Sequence, residues 1–222
     1  MLYIVPTPIG NLEDFSFRSI RILKEVSLIL VESYKISNKL LKFYNIKTNL
    51  IKYHIHNEHK IIPFITKKIK EGKNIALISN AGTPGISDPG YLLIRRCIEL
   101  SIYVDCLPGA TALIPSLVIS GIPINEFIFI GFLPKKKRNI KLENLSKENR
   151  TIVLYESPYR LLKTLNDIKI FFGIKTYVVL CKEISKIHQN TVRGNIKDVL
   201  SFYKDKKKNI LGEYTIVIKT NN

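Results

Sequence analysis

The sequence predicts an α/β protein of two domains, and three observations support this prediction. Short apolar runs alternate with segments of helical periodicity in the first half, which is typical of a mostly parallel sheet covered on both faces. The character changes near Gly121, and the later strands alternate as in an antiparallel or mixed sheet. A chain of 222 residues can bury two such cores, and we place the domains at 1–116 and 117–222.

The first half contains the clearer alternation of elements. Buried-type strands are predicted at 2–6, 27–32, 74–79 and 103–108. Helices are predicted over 16–26, 57–71 and 90–100, with another that starts just after Gly109. Gly72 stands at the expected C-cap of the second of these helices.

In the second half, strands are predicted at 150–157, 176–183, 190–194 and 212–220. Pro158 suits the first turn of a helix that runs to about residue 171. Before these elements lies GFLPKKKR (131–138), a basic segment punctuated by proline. We interpret its cations either as a solvated loop or as contacts to nucleic acid: Lys135, Lys136, Lys137 and Arg138.

The charge of the chain indicates its class of partner. There are 35 Lys and Arg residues against 18 Asp and Glu, a net charge of +17 that favours nucleic acid first and an anionic membrane surface second. Compositional drift toward Ile, Lys and Asn is the alternative explanation. The three cysteines are too scattered for a disulfide framework or a zinc site. The N-terminus lacks the pattern of a signal peptide, so we expect a cytoplasmic protein.

Four strand ends carry unusual residues. They are PTPIGN (6–11), SNAGTPGISDPG (79–90), LPGATA (107–112) and YESPYR (155–160). Each alone is compatible with a plain turn, but ligands of open α/β sheets bind beyond the carboxyl ends of strands. The sequence contains neither a Walker loop nor the glycine fingerprint of dinucleotide-binding folds. The four segments together therefore predict a binding site for some other ligand.

These segments carry a family resemblance. LYIVPTPIGNL, AGTPGISDPGY, LPG, GFLPKK and YESPYR follow one another in the order typical of the RsmI family of ribosomal small-subunit RNA (cytidine-2′-O)-methyltransferases, from Leu2 to about Ile218. The resemblance implies the tetrapyrrole-methylase fold, with S-adenosyl-L-methionine (AdoMet) in the cleft between two α/β domains, and a homodimer. The implied substrate is the ribose of a cytidine in the decoding centre of 16S ribosomal RNA, within the small ribosomal subunit.

The resemblance also implies which residues form the cofactor wall. They are Pro8, Gly10, Ser79, Asn80, Ala81, Gly82, Thr83, Pro84, Pro108, Gly109, Ala110, Thr111, Tyr155 and Gly212. We expect the absence of a Cβ at Gly82 to let the backbone approach the ligand. We also expect the N–H groups of the helix that starts at Gly109 to receive a carboxylate.

Methyl transfer to a 2′-hydroxyl requires that the hydroxyl lose its proton, so a carboxylate or an amine should lie nearby. The candidates for this role are Glu156, Asp88 and Glu32, with Lys182 as an amine. Glu156 is equally compatible with a carboxylate that stabilises a helix N-terminus, and Glu32 with a partner of Lys35. Arg160 is positioned to orient Glu156 and is assigned to RNA binding.

The segment HIHNEH (54–59) offers three interpretations, of which a metal site is the first. His54 and His56 share one face if the preceding strand continues through them. Two histidines without further spaced ligands do not make a zinc site, so we expect no metal. The remaining interpretations are a polar edge that faces RNA, which the family resemblance supports, and a structural strand end.

Three departures from the family pattern bear on activity. Ser33-Tyr34-Lys35 replaces the usual Asp-Thr-Arg, Asn80 replaces Asp, and Tyr159 replaces His, so two expected carboxylates are absent. Two rival functions therefore stay open. One is a small-molecule (tetrapyrrole) methyltransferase of the same fold, and the other is a non-catalytic RNA-binding factor that assists ribosome assembly.

Overall fold

The computed structural model describes residues 1–205 and 210–220, which belong to two compact units, Met1–Thr111 and Ala112–Asn222. The strands of the first unit are β1 (Leu2–Ile4), β2 (Leu28–Val31), β3 (Leu50–Lys52), β4 (Ile75–Leu77) and β5 (Val104–Cys106). Its helices are α1 (Phe17–Glu25), α2 (Tyr34–Phe43), α3 (Glu58–Lys70) and α4 (Tyr91–Glu99), and a 3₁₀ turn covers Leu12–Asp14.

The first unit is a parallel sheet in the order β3-β2-β4-β1-β5. Successive strand residues point to opposite faces, so each strand contributes to two cores. Ile29 and Ala76 belong to the core with α1 and α2, whereas Leu30 and Leu77 belong to the core with α3 and α4. Both faces of the sheet are covered, as predicted from its continuous apolar strands.

The second unit contains α5 (Leu113–Ser120), β6 (Phe127–Phe132), α6 (Arg138–Ser146), β7 (Thr151–Glu156), α7 (Leu161–Phe172), β8 (Tyr177–Lys182), β9 (Asn190–Asn195), α8 (Ile196–Asp205) and β10 (Tyr214–Lys219). Its sheet has the order β6-β7-β10-β8-β9. The pair β6–β7 is parallel and the other pairs are antiparallel, which confirms the predicted mixed sheet.

One face of the second sheet packs on α6, α7 and α8 through an apolar core that includes Leu142, Leu165 and Val199. The helix α5 contacts β8 and β10. Because α5 packs on these strands, the two compact units divide at 111/112 rather than at 116/117. The assignment of 1–116 and 117–222 as domains stays a prediction.

Two predicted helix starts are wrong. The helix α5 begins at Leu113, because residues 109–111 form a loop instead of a helical turn. The helix α7 begins at Leu161, so Pro158 lies in the turn before it. Within the described residues, no helix combines the length and apolar character that crossing a bilayer requires.

Candidate active site

The carboxyl edge of the first sheet gathers most of the predicted site residues. Parallel strands end at the same edge, so the segments that follow β1, β2, β4 and β5 start close together. Pro8 and Gly10 follow β1, Glu32 follows β2, and the loop of residues 79–88 follows β4. Residues 108–111 follow β5. The structure thus brings together residues that are distant in sequence.

Hydrogen bonds tie the loops after β1 and β4 to each other. Thr7 and Gly82 exchange two backbone bonds of 2.9 Å each in an isolated antiparallel bridge. The Thr7 hydroxyl donates to the Ser79 carbonyl at 3.2 Å, and the Ser79 hydroxyl donates to the Gly82 carbonyl at 2.9 Å. We call these hydrogen bonds the clamp. Thr7 and Ser79 are both buried, so the clamp stabilises the loop on its buried side. A loop already ordered loses little entropy when it binds a ligand.

The loop after β5 approaches the same place. The Thr83 hydroxyl donates to the Ala110 carbonyl at 3.1 Å. A Cβ on Gly109 would lie 2.5 Å from Cβ of Pro6, so only glycine allows the loops after β1 and β5 to pass this closely. Since residues 109–111 are not helical, the expected anion site at a helix N-terminus is wrong.

Gly82 requires glycine for a different reason from the one expected. Its φ of +85° lies in the region that side chains rarely adopt. The space beside it is ordinary, because a Cβ there would lie 3.5 Å from Ile9. The chain conformation at Gly82 therefore accounts for this glycine without a ligand.

Glu32 and Asn80 form the polar centre of this edge. The Asn80 amide donates from Nδ2 to Oε2 of Glu32 at 2.7 Å, and both residues are half-buried. The Oδ1 atom of Asn80 is buried and has no hydrogen-bond partner in the part of the chain that the structure describes. A buried acceptor without a partner fits a ligand that brings hydroxyl or ammonium hydrogens, as AdoMet does. Asp88 is half-buried in the same loop.

The histidines do not share a strand face. The strand β3 ends at Lys52, and residues 55–57 form a turn that leads into α3. The His56 amide donates to Nδ1 of His54 at 3.2 Å. Within residues 1–205 and 210–220, no group of three or more possible metal ligands is found. Both residues follow β3 at the same sheet edge, so their assignment to RNA stays a prediction.

In the second unit, Tyr155, Glu156 and Gly212 lie at one edge of the sheet. Glu156 is opposite Tyr214 in the antiparallel pair of β7 and β10, so Gly212, two residues earlier, lies close by. Near Gly212, Glu183 accepts bonds from Lys186 and from the Glu213 amide, both at 2.8 Å. Burial raises the pKa of the Glu183 carboxyl, but these bonds together outweigh it and the net pKa is lowered.

Glu156 is the centre of a buried polar network. Its carboxylate accepts from the Ser157 amide at 2.8 Å, from Nε of Arg160 at 2.9 Å and from the Thr164 hydroxyl at 2.6 Å. The Glu156 side chain has no exposed surface. A carboxylate that is enclosed and bonded on both oxygens is suited to joining β7 to α7. This geometry argues against Glu156 as the base, and that assignment stays a prediction.

The network also includes Arg138, which differs from the lysines before it. Arg138 is buried and donates to Asp167 at 2.8 Å and to the Thr164 hydroxyl at 2.7 Å. Arg160 likewise faces inward, to Glu156 and to the Leu133 carbonyl. These contacts favour a structural role for Arg138 and Arg160, and their assignment to RNA binding stays a prediction. Lys135, Lys136 and Lys137 are exposed.

Three residues of these networks are not among the predicted site residues. Thr7 lies inside PTPIGN, one of the four strand ends with unusual residues, so its position could have indicated a role at the site. Thr164 and Asp167 occupy ordinary helical positions in α7. Asp167 meets Arg138 across 29 residues of sequence, and no local pattern predicts such a contact.

Comparison with known families and relatives gives consistent matches. The model of a family described as tetrapyrrole (corrin/porphyrin) methylases matches residues 1–200. The chain is 45% identical over 218 residues to ribosomal RNA small subunit methyltransferase I of Thermotoga maritima, covering 98% of this chain and 97% of that protein. It is 44% identical over 223 residues to the protein of the same name from a Hydrogenobaculum species, covering 100% and 96%.

Solved structures show the same fold at low identity. A diphthine synthase superposes with a TM-score of 0.75 at 11% identity, covering 99% of this chain and 89% of that one. A uroporphyrin-III C-methyltransferase from Thermus thermophilus, complexed with S-adenyl homocysteine, gives a TM-score of 0.65 at 15% identity, covering 97% and 96%. At these identities the likeness shows the fold alone.

Proposed function

Because the chain belongs to the tetrapyrrole methylase family, and its curated relatives are small-subunit ribosomal RNA methyltransferases, we propose that it methylates RNA of the small ribosomal subunit. The near full-length match to these relatives is the observation that carries the proposal. The reaction is AdoMet-dependent, and the cofactor supplies an activated methyl group. The finer assignment, to the 2′-hydroxyl of a cytidine in the decoding centre, rests on the family motifs in the sequence.

The clamped loops at the carboxyl edge of the first sheet are proposed to hold the cofactor. Asn80 offers a buried acceptor without a partner, and Thr83 and Ala110 join two of the loops that surround it. The order of these loops favours binding, because Thr7, Ser79 and Gly82 already fix their shape. The corresponding assignments of Tyr155 and Gly212 stay predictions.

Glu32 is the best-placed candidate for the base. It follows β2 at the same edge as the proposed cofactor loops, and it is half-buried rather than enclosed. The bond from Asn80 holds one of its oxygens, Oε2. A carboxylate oriented in this way can take a proton from a hydroxyl that lies within hydrogen-bond reach of its other oxygen.

Positive charge supports RNA as the substrate over a tetrapyrrole. The net charge of +17 favours a polyanion, and Lys135, Lys136 and Lys137 form an exposed cationic run. We further propose a homodimer that acts in the cytoplasm, as the family motifs imply. Sedimentation of the purified protein tests the dimer.

Methylation of isolated small ribosomal subunits tests the proposed function. Subunits that lack the modification are incubated with the protein and labelled AdoMet, and mass spectrometry of RNA fragments then locates the methyl group. We expect one methylated cytidine ribose. A label on the base would overturn the 2′-hydroxyl assignment. RNA binding without methyl transfer would favour an assembly factor, and transfer only to a tetrapyrrole would favour the small-molecule enzyme.

A further inference from the structure

The strand β6 presents its aromatic side chains on one face because of a bulge. Strict alternation would place Phe129 and Phe132 on opposite faces, since they are three residues apart. The register shifts between Phe129 and Gly131, so Phe129 is opposite Val153 and Phe132 is opposite Tyr155 on the parallel strand β7. Bulges of this kind re-aim side chains and are frequent next to functional sites. The bulge returns Phe132 to the face that carries Phe129.

Three rings on this face form a connected group, which we call the aromatic platform: Phe129, Phe132 and Tyr155. The ring centroids of Phe129 and Tyr155 lie 4.9 Å apart, and those of Phe132 and Tyr155 lie 5.9 Å apart. Both pairs meet edge to face, a favourable arrangement that fixes the ring orientations. Phe132 is 50% exposed even so. A rigid aromatic ring that remains half exposed is available to a ligand.

The platform adjoins the lysine run. Lys135 lies three residues after Phe132, so at most roughly 11 Å of backbone separates them. The far end of the run is anchored, because Arg138 is bound to Asp167 and Thr164. Exposed cations thus stand beside an exposed ring on a tethered segment.

We propose that Phe132, the exposed ring of the aromatic platform, stacks an unpaired base of the substrate RNA, while Lys135, Lys136 and Lys137 contact the neighbouring phosphates. The proposal rests on the proposed function and names the form of RNA that it takes, a locally single-stranded one. Proteins that bind single strands combine a cationic track with aromatic rings in this way. Every base offers a face for stacking, whereas a paired base is covered by its neighbours.

Charge favours RNA over a second copy of this chain as the occupant of the platform. A two-fold symmetric contact would place the same surface of both subunits together. The lysine runs of both subunits would then approach one another, and like charges disfavour that contact. An RNA strand supplies the opposite charge.

Binding to two polyanions tests the proposal, one with bases and one without. The probes are a nine-residue oligocytidylate and inorganic polyphosphate of similar charge. We expect Phe132→Leu to weaken oligocytidylate binding about tenfold, because stacking is lost while the site stays apolar. Binding of polyphosphate should not change, and neither should the salt dependence of oligocytidylate binding. Phe132→Trp keeps a ring and should bind oligocytidylate as the wild type does.

Further variants distinguish base stacking from charge and from contact with a second copy of the chain. Phe17→Leu removes a ring on α1 that is 93% exposed, and it should leave both affinities unchanged. Substituting the three lysines by alanine should weaken the binding of both probes. The proposal is wrong if the Phe132→Leu variant binds oligocytidylate normally, or if its affinity for both probes falls equally. It is also wrong if Phe132→Leu converts a dimer to monomers in sedimentation, which would assign the rings to a second copy. A wild type that neither binds nor methylates RNA would instead overturn the proposed function.

Discussion

The amide of Asn80 donates a 2.7 Å hydrogen bond to the carboxylate of Glu32, across the ends of the neighbouring strands β4 and β2. An ionised aspartate at position 80 has no hydrogen to donate. It would place two carboxylates in contact, a pairing that disfavours ionisation of both. The amide of Asn80 therefore makes a contact with Glu32 that a carboxylate at the same position could not make.

Asn80→Asp is expected to destabilise the protein by about 1–3 kcal/mol at neutral pH, because two like charges replace a hydrogen bond. The contact raises the pKa of one carboxyl above its unfolded value. The loss is therefore largest above that raised pKa, and it shrinks as the pH falls and the pair takes up a proton. Thermal unfolding between about pH 8 and about pH 5 measures this. Asn80→Ala is the control, since its deficit should not follow pH. An aspartate deficit that stays constant with pH would contradict the expected contact.

Glu32→Gln keeps the shape of the side chain and removes the base. Turnover in single-turnover methylation of small subunits should fall by about a hundredfold or more, the usual size of a general-base contribution. AdoMet affinity, measured by calorimetry, should change little, because Asn80 can still bond the amide oxygen. Normal turnover in this variant would exclude Glu32 as the base and return attention to Asp88.

Glu156→Gln should act on stability instead. The variant leaves Arg160 and Thr164 without the carboxylate that they bind, and the loss of one partner from a buried ion pair costs about 3 kcal/mol. Urea unfolding measures this change. Glu148→Gln, at an exposed pair with Arg150, is the matched control and should stay close to the wild type. A fully stable Glu156→Gln that has lost its turnover would show that Glu156 acts on the substrate.

Variants of the lysine run and of Arg138 should differ in the salt dependence of their RNA binding. Replacing Lys135, Lys136 and Lys137 by alanine should reduce the slope of log affinity against log salt by about 2, since each phosphate contact on a single strand contributes about 0.7. Arg138→Gln should leave that slope unchanged and lower stability, because Arg138 binds Asp167. Filter binding of small-subunit RNA across a salt series tests both. A reduced slope for Arg138→Gln would mean that the arginine reaches RNA.

The sequence predicts the site where a local pattern has a single geometric outcome. Parallel strands end at one edge, so the amino-acid sequence alone is enough to group the segments after β1, β4 and β5. The predicted start of a helix is wrong where the chain before it contacts a segment that is distant in sequence. The helix α5 begins later than predicted, and the loop before it brings Gly109 against Pro6, a contact between segments that are far apart in sequence.

The sequence does not predict which of the charged side chains are buried. Lys137 and Arg138 are neighbours in one basic run, yet the lysine is exposed and the arginine is enclosed by Asp167 and Thr164. Glu156 resembles a base because it ends a strand, and only its three bonds reveal a different environment. The strand β6 escapes prediction because Gly131 and Pro134 resemble turn residues, whereas Gly131 in fact forms a bulge.

The position of β1 in its sheet constrains how the chain can fold during synthesis. Among the strands of this sheet, β1 is synthesised first, yet both of its neighbours come later: β4 at residues 75–77 and β5 at residues 104–106. Such pairings between distant segments are slow to form, because a long loop must close first. The strand β1 therefore stays unpaired until β4 has been synthesised, and the sheet is complete only after β5. We expect this stage to be the one at which the chain depends most on chaperones.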